Sequence, residues 1–191
     1  MMRHLAALCF LPLLHCNSFA AAADQPPGES FTIQVSAKLV QAPCWMKLNS
    51  RDQTVVLPPV PTTQLSAVGN KSAKTDFRIE MRGCTSEPGV QVDKRSGLKT
   101  WSVDSPVVSV MFTGVQDAES PSLFAVSGAT GIALEITDSR GNTVLPGIAT
   151  APFIVQTINA AMPLQVALVR TSAPLTPGSW RAVLQFVVNY D

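Results

Sequence analysis

The chemistry open to this chain is limited by where its reactive side chains fall. Both histidines, His4 and His15, and two of the four cysteines, Cys9 and Cys16, stand before residue 24. That stretch carries Arg3, an apolar run from Leu5 to Leu14, and small residues from Ala20 to Ala23. It reads as a Sec-type signal peptide, residues 1–23, cleaved after Ala23. Pro12, His15 and Asn17 leave the apolar run too short to cross a bilayer. His15 stands where a lipidation site would want a small residue before Cys16. After cleavage the chain has no histidine. Ser–His–Asp and Cys–His nucleophile activation and the usual zinc ligand sets are then excluded. Cys44 and Cys84 remain, and an oxidising compartment joins them most simply as one disulfide. No third or fourth ligand stands near either, which argues against a metal pair. By chain entropy, closing a loop of that length stabilises by about 4 kcal/mol.

The remaining candidates for chemistry have plainer readings. Glu135 and Asp138 could in principle work as paired carboxylates. Their spacing puts them on opposite faces of a strand and its turn, which speaks against an enzyme. Trp45, Trp101 and Trp180 are scattered, so core or interface packing is preferred to a sugar-binding platform. Asn70-Lys71-Ser72 has the pattern of a glycosylation acceptor within a loop and is read as chance. Gly128-Ala129-Thr130-Gly131 lacks the lysine and the helix of a phosphate loop and is read as a turn. Met46, Met81, Met111 and Met162 are read as core. No cofactor-binding motif emerges. Removing the leader takes Arg3 from the 14 basic residues and leaves 13 against 13 acidic ones. Sparse, balanced charge with no basic patch excludes nucleic acid as a partner.

About 168 residues after cleavage make one domain. No membrane anchor after Ala23 and no internal repeat is expected. The elements that must position any site are short strands. Thr54 to Leu57 is an apolar run stopped by Pro58-Pro59, and a polar loop follows to Lys74. Phe77, Ile79 and Met81 alternate with charged residues up to Gly83-Cys84. Thr85 to Gly97 reads as polar and turn-rich. Val108, Val110 and Phe112 alternate within Val107 to Gly114. Ile132, Leu134 and Ile136 alternate before a turn at Asp138 to Asn142. Leu164, Val166 and Leu168 open another strand, and Pro174 to Gly178 turns the chain. No window of ten or more residues has helical spacing with caps. Many short strands with Gly/Pro turns predict an all-β antiparallel sandwich of immunoglobulin-like size.

Two amphipathic strands bracket this domain. Phe31, Ile33, Val35, Ala37 and Leu39 alternate with Thr32, Gln34, Ser36 and Lys38. Near the other end, Trp180, Ala182, Leu184, Phe186, Val188 and Tyr190 recur with period two, which puts them on one face of a strand. With no hairpin partner after it, this last strand must be central in the fold or be taken up by another protein. The pattern suits edge strands of a closed sandwich, as in a secreted lectin-like binding module, and equally strands exchanged between neighbours.

Ordered motifs connect these elements. An amphipathic strand runs into Val40-Gln41-Ala42-Pro43-Cys44. Val55-x-Leu57-Pro58-x-Val60 leads to Leu65, Gly69, Ser72, Phe77, Ile79, Met81 and Cys84. Then come Val108-x-Val110-x-Phe112-x-Gly114 and Gly131-Ile132-x-Leu134-x-Ile136-x-Asp138-x-x-Gly141. Gly178 precedes the penultimate Tyr190 by twelve residues. In this order and spacing the chain resembles the type 1-like pilin subunits of chaperone–usher fimbriae, over Phe31 to Asp191. Family members often have glycine where Ala37 stands and an aromatic where Leu168 stands. The resemblance implies an incomplete immunoglobulin-like sandwich completed by a donor strand from a partner. It divides the chain into a donor-strand extension, residues 24–40, and a pilin domain, residues 41–191. It assigns Phe31, Ile33, Val35, Ala37 and Leu39 to the donor strand. It assigns Gly178, Ala182, Leu184, Phe186, Val188 and Tyr190 to the strand that lines the groove and meets the chaperone. The implied function is that of a structural fimbrial subunit supporting adhesion. Its partners are a periplasmic chaperone, an outer-membrane usher and other pilin subunits, and it travels through the periplasm to the cell surface. A separate receptor-binding domain does not fit between Asp24 and Phe31. Burying four large donor side chains would contribute roughly 6–12 kcal/mol as an upper bound.

Overall fold

The computed structural model describes residues 32–37, 39 and 41–190. The leader, residues 24–30 and Phe31 lie outside the described residues. Contacts divide the chain at Leu39/Val40. Thr32 to Ala37 and Leu39 are exposed and carry no strand pairing. An extended run with strand-like alternation becomes a strand only when a ladder partner satisfies its backbone, and these residues have none among the described residues.

Residues 41–190 form ten strands: β1 (Trp45–Met46), β2 (Thr75–Arg82), β3 (Gly89–Val92), β4 (Lys99–Ser102), β5 (Val107–Thr113), β6 (Phe124–Ala125), β7 (Ile132–Asp138), β8 (Phe153–Ile154), β9 (Ala160–Arg170) and β10 (Gln185–Tyr190). One four-residue helix, α1 (Leu48–Arg51), and a 3-10 turn at Thr62–Leu65 interrupt them. Every ladder is antiparallel. One sheet runs β1-β2-β9-β7-β6, the second β10-β5-β8, and β3-β4 stands as a separate hairpin.

Period-two patterning decides which side chains fill the space between the sheets. Ile79 on β2, Val110 and Phe112 on β5, Leu134 and Ile136 on β7, and Leu164, Val166 and Leu168 on β9 form one buried cluster. Leu168 is 1% exposed and fills its place in this core. All seven residues of β7 are buried, including its polar outer face. Cys44 and Cys84 are joined by a disulfide that ties the segment before β1 to the end of β2. They sit with Met81, Val108 and Val155 in a second small cluster.

The hairpin β3-β4 lies partly inside the stretch read as polar and turn-rich. Its weak apolar pattern hides a strand because the inward position of β3 is occupied by Gln91. That amide is buried, and Nε2 donates to the carbonyls of Val107 at 2.8 Å and Asn189 at 3.0 Å.

Candidate functional site: an open groove along the terminal strand

Among the described residues, the core is left unfinished along the terminal strand. From Trp180 to Val188 exposure alternates strictly: Trp180, Ala182, Leu184, Phe186 and Val188 are half-buried, and the residues between them are exposed. Tyr190 is half-buried as well. These side chains pack against the central cluster, yet none reaches the near-zero exposure of Ile79 or Val110 beneath them. A second row behaves in the same way. Val55, Leu57 and Val60 are half-buried against the same cluster, while Thr54, Val56, Pro58 and Pro59 are exposed. Segment 53–60 has strand-like alternation but takes part in no ladder among the described residues.

Backbone alternation shows which edge is open. Pro106, Val110 and Phe112 turn their carbonyls toward residues 147–155, accepting from Val155 at 2.9 Å, Thr150 at 2.8 Å and Gly147 at 2.8 Å. Ser109, Met111 and Thr113 therefore face β10, where their partners are Asn189, Val187 and Gln185. Phe186, Val188 and Tyr190 must then aim their N–H and C=O groups away from β5. That edge of β10 has no ladder partner among the described residues. The groove thus offers a strand both an apolar row and a row of free backbone donors and acceptors.

An aromatic stack supports the middle of the groove. Phe77 meets Phe112 edge-on with centroids 6.4 Å apart, and Phe112 meets Phe186 at 5.8 Å. Farther along, Leu184 leans over Gly114. A Cβ on that glycine would lie 2.6 Å from Leu184 Cδ2, so the side chain occupies the space that glycine leaves. The segment leading into the groove strand is clamped from outside. Ser127 and Arg181 exchange backbone bonds at 2.9 and 3.0 Å. A Cβ on Gly178 would sit 2.5 Å from the Gly128 carbonyl, and one on Gly128 would sit 2.2 Å from the Ser179 carbonyl. Gly178 therefore packs its backbone closely against Gly128. Gly128 and Gly131 both have positive φ, as a turn requires. Arg170 Nη1 donates to the carbonyls of Gly131 at 2.9 Å and Ala173 at 2.6 Å, holding the two loops together.

The groove carries almost no charge. Burial raises the Tyr190 phenol above its ordinary value. Carboxylates with perturbed acidity lie elsewhere. Glu80 is held low by the Lys47 ammonium and, with it, the Arg78 guanidinium. Asp93 is held low by backbone N–H groups of Arg95 and Ser96 in the β3-β4 turn. Asp104 is held low by the Ser102 and Ser105 hydroxyls.

The other sequence candidates are absorbed by the fold. Glu135 is paired with Lys71 at 2.6 Å and accepts from Thr143 at 3.1 Å. Asp138 accepts from the backbone of Arg140 and Asn142 and closes the β7 turn. In the sequon, Ser72 is buried, and its Oγ accepts from the Leu168 N–H at 2.9 Å. Met81 and Met162 are core; Met46 and Met111 are half-buried. Core packing holds for Trp180 alone among the tryptophans: Trp45 and Trp101 are 62% and 61% exposed on different sheets. Of the proposed donor residues, Ile33, Val35, Ala37 and Leu39 are exposed, and Phe31 lies outside the described residues. Among the described residues no cluster of His, Cys, Asp and Glu has metal-binding geometry.

Comparison with known proteins agrees with this architecture. The fimbrial protein family matches residues 30–191. The chain is 30% identical to fimbrial subunit type 1 of Salmonella typhimurium over 201 aligned positions, covering 100% of both chains. It is 31% identical to the fimbria A protein of Serratia marcescens, over 92% of this chain and 91% of that one. The crystal structure of the P pilus rod subunit PapA shares the fold, with a TM-score of 0.62 at 20% identity, over 78% of this chain and 100% of that chain. With an antiparallel immunoglobulin-like sandwich, a disulfide between Cys44 and Cys84, and a family match over residues 30–191, this chain belongs to the fimbrial protein family and is a pilin, a structural subunit of a fimbria.

Proposed function

We propose that this pilin polymerises by donor-strand exchange. Residues 24–40 leave their own domain, and Phe31, Ile33, Val35, Ala37 and Leu39 enter the groove of a neighbouring subunit. The observation that carries this reading is the row from Trp180 to Tyr190. It is half-buried with period two, on a strand that has a ladder partner on one edge only among the described residues. An apolar groove of that length does not persist in water. An inserted strand would bury its apolar side chains and satisfy the backbone groups of Phe186, Val188 and Tyr190. Strand addition is the recognised binding mode of chaperone–pilin complexes.

In this reading residues 1–23 direct export and are removed. A periplasmic chaperone fills the groove first. At the outer-membrane usher the extension of the next subunit replaces it, and the product is a cell-surface fimbria that supports adhesion. The role is structural rather than enzymatic. The side chains able to move protons are committed elsewhere, Glu135 to Lys71 and Asp138 to the turn that follows β7.

Two variants test the assignment of strands. Deleting Asp24 to Leu39 should leave a soluble chaperone complex, because residues 41–190 build their core without that segment. Phe186→Asp should abolish the complex and send the subunit to degradation, because an unpaired carboxylate in the groove costs several kcal/mol. Co-purification with the chaperone from periplasm reads both. Loss of the chaperone by the deletion together with retention by Phe186→Asp would reverse the two roles.

A further inference from the structure

We infer that the outward face of the hairpin β3-β4, together with the turn after β7, binds an acidic polysaccharide. Trp101 stacks on a sugar ring, and Lys99 and the cations of the two turns hold the carboxylates or sulfates. The surface shares no residue with the groove, so the inference is independent of donor-strand exchange.

The hairpin reverses the usual polarity of a strand pair. Its inward position is polar, with the Gln91 amide buried against the carbonyls of Val107 and Asn189. Val90 and Val92, on either side of Gln91, are exposed and point the other way. On β4, Lys99 and Trp101 are exposed while Thr100 and Ser102 are half-buried. Trp101 lies directly across from Val90, and Lys99 directly across from Val92. Cross-strand neighbours touch, so a valine backs the indole on the solvent face and a cation stands beside it.

Tertiary structure adds charge to this face. Lys94 and Arg95 at the hairpin tip are exposed. Arg95 Nη1 donates to the Thr143 carbonyl at 2.8 Å, which brings the turn after β7, with its exposed Arg140, to the same place. Arg140 is 45 residues from Arg95, so the chain shows no basic run. Each turn opens on an aspartate, Asp93 or Asp138, and both are buried. Each accepts the backbone N–H two residues on, from Arg95 at 2.8 Å and Arg140 at 2.9 Å. Asp138 also lies 3.8 Å from Arg140 Nε. Lys94 and Lys99 have no carboxylate partner among the described residues. Four cations therefore face water while the two carboxylates do not, and the surface is positive.

Size and chemistry select the ligand. Trp101 and Lys99 are two positions apart on one face, about 7 Å, a distance that a sugar ring and its acidic substituent span. The C–H groups of a sugar ring carry slight positive charge, which suits the negative face of an indole. Two strands of four residues offer a face of roughly 10 by 13 Å, far less than the roughly 800 Å² per partner of a specific protein interface. Strands of nucleic acid are held by successive stacking platforms, and this face has one aromatic ring. A short stretch of charged sugar units fits both its area and its sign.

The test measures binding of the exported chain, purified with the partners that accompany it, to immobilised heparin, polygalacturonate, neutral dextran and single-stranded DNA. Heparin or polygalacturonate should bind and dextran should not; preference for heparin identifies sulfate as the group held, and preference for polygalacturonate identifies carboxylate. Affinity should fall as salt rises. Lys94→Gln with Lys99→Gln should weaken binding about tenfold and flatten the salt dependence. Trp101→Ala should weaken it about as much and leave the salt dependence unchanged, and Trp101→Phe should recover part of the loss. All three side chains are exposed, so the variants keep the core, which circular dichroism checks. Wild-type affinity in either the double-lysine variant or Trp101→Ala would overturn the inference, as would binding no stronger than to dextran. DNA binding as tight as that of the polysaccharides would also overturn it, by marking a surface for polyanions in general. If Trp101→Ala instead alters association between copies and leaves polysaccharide binding unchanged, the face is a contact between subunits and the inference fails.

Discussion

The two sides of this sandwich use the same patterning and reach different ends. On the β2-β9-β7 side, alternating apolar residues meet partners in both the sheet and the facing layer. Ile79, Leu164 and Leu168 are 0–1% exposed. On the β10 side, Leu184, Phe186 and Val188 alternate just as cleanly and remain half-buried. The chemistry of the side chains does not differ; the number of strands around them does. Burial is a property of what surrounds a residue, and one side of this molecule is a strand short.

Supplying that strand should erase the difference between the two sides. A peptide spanning Phe31 to Leu39, bound to a chain lacking Asp24 to Leu39, should make the open side resemble the closed one. With roughly 6 kcal/mol as the low end of the burial gain and about 2 °C per kcal/mol for a domain of this size, Tm should rise by about 12 °C or more. Calorimetry at saturating peptide reads it. An unchanged Tm would mean that the half-buried row is already at its optimum.

Paired truncations should then show which side has changed. Leu168→Ala removes a side chain from a closed core and should cost about 2–5 kcal/mol with or without peptide. Leu184→Ala should cost less than about 1.5 kcal/mol in the open chain, where water already reaches the site, and should approach the Leu168 value once the peptide is bound. Denaturant unfolding of the four combinations gives the numbers. Equal costs at Leu184 in both states would contradict an open groove.

The smallest expected effect is also the most local. Tyr190 is the only tyrosine in the chain, so absorbance near 295 nm follows its ionisation alone. Burial raises its phenol above the ordinary value of 10.0. The neutral ring therefore contributes stability that is complete below that ordinary value and is lost as pH rises through the higher folded one. Filling the groove should bury the ring further and move the titration still higher. A titration that peptide leaves in place would put Tyr190 outside the filled surface.

The glycines show where legibility stopped. Gly178 stood out in the sequence as a marker before the last strand, but its reason lies in Gly128, fifty residues earlier, whose carbonyl sits 2.5 Å from where a Gly178 Cβ would be. No local pattern encodes that contact. Gln91 was equally hidden. A glutamine amid polar residues reads as loop, and only its two carbonyl partners at Val107 and Asn189 make it a buried strand residue.

By itself, the sequence determined the all-β class, the inward faces of β2, β5, β7 and β9, the Cys44–Cys84 pair and the period-two face of the last strand. These follow from alternation and from a scarcity of reactive groups, both local properties. Tertiary structure decided which alternating runs find partners. It closed β7 on both faces, buried Gln91 on the inward face of a hairpin strand, left Trp45 and Trp101 in solvent, and among the described residues gave β10 a ladder neighbour on one edge only. A strand's periodicity says which side chains share a face. Whether that face is covered depends on backbone pairing between residues far apart in the chain.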